Sequence, residues 1–355
     1  MVDMSFEQTP LFQLNLMIFL SWPSPSVVVD PLFYKEGYEL YKIGPRIPTA
    51  LEAQARANSS VPPIPFTPRP SPDIVLRHTE KKTILIIECK KQSFGPDSKQ
   101  ASQAASLLSC VGQHVASVFG LPSEECWSSF LCYAMGDSNI SAMQDTINAL
   151  ATKLEDTSIP VTDSGCISIT VLQDGVYMAM EPRSRIPLSG LQDATQPGIK
   201  VMPLADGDDP RPLYLIPIDP SITVNDDYEK SMLSERVRMA LASLLGSQLD
   251  QGEFAFELDD VMRSAIEVWD MWADYDCRKY VKNAVRSYLR LIFREVNKVG
   301  LQVTVDQDRL MFHHVTPSVA ADTRRYLSSA AFRKGQIDLW SSSVQPDFSN
   351  LAHGW

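Results

Sequence analysis

Asp73, Glu88 and Lys90 stand in the stretch "SPDIVLRHTEKKTILIIECKKQSF", residues 71–94, where two apolar runs are edged by charges. An unpaired charge is costly to bury. A run such as Thr83-Ile84-Leu85-Ile86-Ile87 that closes on Glu88-Cys89-Lys90-Lys91 therefore either emerges into solvent or has those charges bound by something else. Residues two apart in a strand share a face, so Glu88 and Lys90 point together and Ile87, Cys89 and Lys91 the other way. An antiparallel hairpin of 73–78 on 83–90 brings Asp73 to the end that carries Glu88 and Lys90. Two carboxylates and one ammonium at a sheet edge suit metal-dependent hydrolysis of a phosphodiester. The carboxylates offer oxygen to a hard divalent cation such as Mg²⁺, or Mn²⁺ in its place. The cation polarises the phosphate and lowers the pKa of its bound water. The lysine orients that water or takes up its proton, and offsets the negative charge that develops. The plain alternative is a solvated hairpin edge with an ordinary salt bridge.

Pro72-Asp73, fourteen intervening residues, then Glu88-Cys89-Lys90 resembles the PD-(D/E)XK nuclease superfamily, the restriction-endonuclease-like fold. The likeness covers residues 73–135 in the order strand, turn, strand with ExK, helix, strand. It implies an α/β fold, a mixed central sheet flanked by helices; the mainly helical C-terminal domain expected beside it follows from the residue pattern after Asn225, not from the resemblance. By resemblance, Asp73, Glu88 and the backbone carbonyl of Cys89 hold the metal, and Lys90 positions the attacking water. Gln103, with Gln100 second, falls where some branches place a substrate-contacting glutamine; the tyrosine those branches carry four residues later is Leu107 here. A further glutamate, expected on a preceding helix, is Glu36, Glu39 or Glu52, and the sequence does not choose among them. The resemblance implies a Mg²⁺-dependent deoxyribonuclease, with DNA ahead of RNA as substrate and restriction or anti-phage defence as the family habit. The rival is a non-catalytic, nuclease-fold interaction subunit of a larger nucleic-acid-processing assembly, with a protein partner or a second copy of the chain.

The elements that must position these residues follow from periodicity. "DSKQASQAASLLSCVGQHVASVFG" predicts one helix with an apolar face, stopped at Gly120-Leu-Pro. "SSFLCYAMG" predicts a third buried strand and "SAMQDTINALATKLED" a second amphipathic helix. "GCISITVL" and "GVYMAME" predict a hairpin about Gln173-Asp174. A loop is expected over 182–212, its "ADGDDP" a solvated acidic turn, followed by a strand "LYLIPI". Prolines make residues 61–72 an extended arm. From Asn225 the chain turns mainly helical as far as Gly300, and "LQVTVDQDRLMFHHV" predicts a terminal hairpin about Gln307-Asp308, giving this part a winged-helix cast. The expected organisation is a core or docking segment at 1–24, a nuclease-like domain at 25–222, and a substrate- or partner-binding domain at 223–355.

In that last domain Arg278, Lys282, Arg286, Arg290, Arg294 and Lys298 recur every four residues beside an apolar stripe of Val281, Val285, Leu289, Ile292 and Val296. Each step of four turns about 40° around a helix, so the cations form a slanted ribbon. Arg286, Arg290 and Arg294 are the candidate phosphate contacts; pairing with upstream acids, among them Asp259, Asp260 and Asp270, is the equal alternative.

A net charge of −11 over 355 residues argues against a generally basic nucleic-acid coat but leaves room for a local basic site. The six cysteines show no CxxC pair, which fits free thiols in a reducing compartment, cytoplasmic or nuclear. The apolar run 11–20, broken by Gln13 and Asn15, is too short for a bilayer span, so no membrane partner is expected. His313-His314 has no ligand-spaced partner, and no phosphate-loop or nucleophile-elbow motif occurs.

Overall fold

The apolar segment near the N-terminus forms helix α1, Pro10–Ser21. Thr9 caps it by accepting from the Phe12 amide, and Pro10 opens it where no amide donor is needed. Leu11 through Ser21 are all buried, as expected of a helix that is apolar all round. Its polar residues are satisfied locally: Asn15 donates to the Leu11 carbonyl and Ser21 to that of Met17. The segment read as core or docking surface is thus a core helix. The computed structural model describes residues 9–23, 29–57, 64–122, 124–136, 139–192, 197–204, 214–217, 227–329 and 332.

The chain divides into two compact units, Met1–Tyr214 with Met271–Asp274, and Leu215–Asp270 with Tyr275–Trp355. In the first, α1 is followed by α2 (Leu32–Lys35), β1 (Glu39–Ile43), α3 (Ala50–Ala57), β2 (Ile74–His78) and β3 (Thr83–Lys90). Next come α4 (Lys99–Leu108), α5 (Gly112–Val118), β4 (Ser128–Gly136), α6 (Ile140–Glu155), β5 (Asp163–Leu172), β6 (Gly175–Met180), α7 (Ser189–Gln192) and β7 (Ile199–Pro203). The strands form one seven-stranded sheet in sequence order. The β1–β2, β2–β3, β5–β6 and β6–β7 pairs are antiparallel, and β3–β4 and β4–β5 are parallel. Each parallel step needs a crossover, which α4 with α5 and then α6 supply. Ile84, Ile86, Leu131 and Tyr133 of the sheet pack with Ala104, Leu108, Val115, Ile147 and Leu150 of these helices in one core. The mixed α/β class expected from the sequence is the class observed.

Several elements differ from expectation. The single helix over 97–120 is two, because Gly112 lies so close to β4 that a Cβ there would sit 2.1 Å from the Trp127 carbonyl oxygen. The expected strand "LYLIPI" is absent from its described residues, Tyr214–Pro217, which hold no strand and bend at Leu215 and Ile216; proline cannot donate to a ladder. The sheet continues instead through β7, inside the segment expected to be loop. Residues 64–72 hold neither helix nor strand, as their prolines require; the rest of that arm and the "ADGDDP" turn lie outside the described residues.

The second unit runs α8 (Asp227–Gln248), β8 (Phe254–Glu257), α9 (Leu258–Ala265), α10 (Tyr275–Asn297), β9 (Gln302–Asp306), β10 (Arg309–His313) and α11 (Pro317–Leu327). Its three strands are antiparallel in the order β8-β10-β9. The α10 stripe Val281, Val285, Leu289, Ile292 and Val296 is buried as its period demands. Phe312 of β10 stacks on Phe254 of β8 at 4.8 Å.

Candidate functional site

Two short backbone devices seat Asp73. Its carbonyl accepts from the Gly44 amide at 2.9 Å; Gly44 has φ +60, a left-handed conformation that favours glycine. One carboxylate oxygen, Oδ2, accepts from the Cys89 amide at 2.6 Å. The β2–β3 register pairs Ile74 with Ile87, so its continuation sets Asp73 opposite Glu88, and directly opposed residues share a face. The hairpin expected from the sequence thus unites the two carboxylates at its open end.

Glu88 is 3% exposed. Its Oε1 accepts from the Lys90 ammonium at 2.5 Å and from Gln103 Nε2 at 2.9 Å. Its other oxygen, Oε2, is buried without a hydrogen-bond partner among the described residues. Gln103 reaches this carboxylate because Ser98 caps α4, accepting from the Ala101 amide, and the buried face of Ala101, Ala104 and Ala105 turns the helix onto the sheet. Gln100, one turn earlier, is exposed, as is Lys91. Burial alone would depress the Lys90 pKa, but the Glu88 carboxylate outweighs it, with Asp73 adding to the effect, and holds the ammonium above the ordinary lysine value. Burial pushes the Cys89 thiol well up, helped by the Asp73 and Glu88 charges.

Tyr133 is a neighbour that the sequence did not bring forward. The parallel β3–β4 register sets it beside Glu88; it is 1% exposed, and burial, then the Glu88 charge, drives its phenol well above the ordinary value. A parallel register is set by a crossover of some forty residues and leaves no local signal.

The three candidate glutamates separate. Glu36 accepts from the Ser189 and Gly190 amides and the Ser189 hydroxyl, capping α7. Glu39 pairs with Arg77 across the β1–β2 ladder. Glu52 is the buried member, on α3, with Arg69 Nε 3.7 Å away. The acids acting on Lys90 are Glu88 and Asp73.

In the second unit the basic ribbon divides. Lys282 donates to Asp259 at 2.8 Å and to Asp308 at 3.3 Å, Arg278 lies 3.8 Å from Asp259, and Arg286 pairs with Asp308. Burial alone would raise the Asp259 and Asp308 carboxyls, but the hydrogen bonds and charges of these cations outweigh it and hold both below their ordinary values. Arg290 and Arg294 are exposed and have no ion-pair partner among the described residues. His313 and His314 are not buried. All six cysteines are free.

Among the described residues, no group of three or more His, Cys, Asp or Glu side chains is arranged to hold a metal ion, and no helix is long and apolar enough to cross a membrane. Comparison with protein-family models, with curated proteins and with solved structures finds no match for this chain.

Proposed function

We propose that the chain is a metal-dependent nuclease that hydrolyses phosphodiester bonds of DNA, with Asp73, Glu88 and Lys90 as its centre and Gln103 as a positioning residue. The observation that carries this is Glu88 Oε2, a carboxylate oxygen buried without a hydrogen-bond partner among the described residues. Burying such an atom unsatisfied costs about 1–3 kcal/mol or more for a charged group, and a cation would remove that cost. The donor set fits Mg²⁺ in particular. That ion keeps several waters and needs only one or two protein carboxylates beside substrate phosphate, so Asp73, Glu88 and the Cys89 carbonyl suffice without a third acid.

When bound, the cation supplies polarisation of the phosphate and a more acidic water. The chain's own residues do the rest. Gln103 and Lys90 hold Glu88 by one oxygen, which keeps the other available. Lys90, kept as an ammonium by Glu88, orients the attacking water and offsets charge on the phosphate; the raised pKa favours these roles over that of proton acceptor. The succession β2, turn, β3 with Glu88-Cys89-Lys90, α4 and α5, β4 supports the reading, since it follows the core order of the family the sequence resembles.

The test is incubation of purified protein with plasmid DNA in Mg²⁺ or Mn²⁺ and in EDTA. Cleavage that needs the cation and vanishes in Glu88→Gln and Lys90→Ala is the expected result. No cleavage with either ion, or cleavage undiminished in Glu88→Gln, overturns the proposal.

A further inference from the structure

The second unit runs helix, strand, helix, helix, strand, strand, and its first strand, β8, pairs with the last, β10. Here the third helix is α10. Its exposed residues include Lys279, Asn283, Arg290, Arg294 and Asn297. At 100° per residue these five fall within an arc of about 60°, and Lys279 to Arg294 spans ~22 Å of helix. Apart from Asp276 at its first turn, that arc carries cations and amides only. Glu295, the nearest acid in its C-terminal half, is turned away and pairs with Lys298. In a chain of net charge −11 this is a concentrated positive face.

We infer that this face of α10 is a duplex-DNA-binding surface that seats in the major groove, Arg290 and Arg294 contacting phosphates. Charge complementarity selects the occupant, and the major groove, about 12 Å wide, admits an α-helix. Arg286 and Lys282 do not belong to the contact set, because Asp308 holds both. The tip of the β9–β10 hairpin, with Asp306 exposed beside Asp308, repels phosphate, so capture falls to the helix. The inference shares its substrate class with the function proposed above and rests on that reading for nothing else. Binding is therefore measured in EDTA, where the proposed chemistry is silent, so loss of capture and loss of cleavage are read separately.

The experiment is titration of a fluorescent duplex DNA with the full chain at 50–200 mM salt. Each phosphate contact contributes about 0.9 to the slope of log K against log salt. Arg290→Gln/Arg294→Gln should bind more weakly and flatten that slope by about 1.8. Across the fourfold salt range the wild type then loses roughly twelvefold more affinity than the variant. Arg290→Lys/Arg294→Lys keeps the charges and should keep the slope, which guards against a misfolded Gln variant. An unchanged slope in the Gln variant overturns the inference. So does equal affinity for duplex RNA, whose deep, narrow major groove excludes a helix. Failure to bind any duplex overturns it too, and assigns the face to an acidic protein partner.

Discussion

Replacing Lys90 by Met should destabilise the chain more than its position at a sheet edge would lead one to expect. The ammonium lies 2.5 Å from Glu88 Oε1, and the two side chains are only 21% and 4% exposed. At charge centres ~4 Å apart and an effective dielectric of about 20, their attraction is on the order of 4 kcal/mol before desolvation is counted. Without the ammonium, Glu88 keeps Gln103 on one oxygen and has no partner among the described residues on the other. Breaking a buried pair from one side typically costs about 3–5 kcal/mol; the partial exposure of Lys90 puts the expected loss near the lower end, about 3 kcal/mol. Glu88→Gln should cost somewhat less, since the ammonium it strands is the more exposed partner. The double variant, which strands neither charge, should lose about 2 kcal/mol less than the sum of the singles. Urea unfolding of the four proteins at pH 7 by circular dichroism measures this cycle. The sign against pH is also determined. The Lys90 pKa is raised above its ordinary 10.5, so the pair's contribution is fully present below that value and is lost as pH rises through the higher folded value. A cation that sits on Glu88 adds a further signature: Mg²⁺ at about a hundred times its Kd would restore ~2.7 kcal/mol to Lys90→Met and much less to the Glu88→Gln chain. Additive single losses would refute the coupling, and a Lys90→Met chain indifferent to Mg²⁺ would refute the metal site whatever the activity assay gave.

Asp73→Asn keeps an oxygen that can accept from the Cys89 amide, so cleavage should vanish while stability falls by no more than about 1 kcal/mol; Asp73→Ala, which orphans that amide, should cost about 1–3 kcal/mol on the same urea assay. Burial raises the Cys110 thiol from 9.0 to about 12, and burial with the Glu36 charge raises the Tyr38 phenol from 10.0 to about 12. Both stay neutral in the fold after they ionise in the unfolded chain, so stability should decline as pH rises from about 9 towards 12. Cys110→Ala should remove one proton from that slope, about 1.4 kcal/mol per pH unit. Gly112→Ala forces a Cβ against the Trp127 carbonyl and should cost about 2–3 kcal/mol; wild-type stability in that variant would show that α5 does not approach β4 so closely.

What the sequence determined by itself is what local periodicity can encode. Alternation and the turn residues gave the β2–β3 hairpin, and with it the meeting of Asp73, Glu88 and Lys90, because a hairpin needs no long-range contact to set its register. The α10 stripe and the β9–β10 hairpin were legible for the same reason. Tertiary structure alone decided the rest. Tyr133 stands beside Glu88 through a parallel register that only the packing of two crossover helices establishes. Gln103 donates to Glu88, where resemblance had it face substrate, because the alanine face of α4 meets the sheet at that angle. The break between α4 and α5 comes from one close approach to β4, invisible in a helical pattern that runs through it. On α10 the cations look alike in sequence; Asp308, more than twenty residues away, takes Lys282 and Arg286 and leaves Arg290 and Arg294 to solvent. A charge pattern states which groups are present, but partners distant along the chain decide which remain available to a ligand.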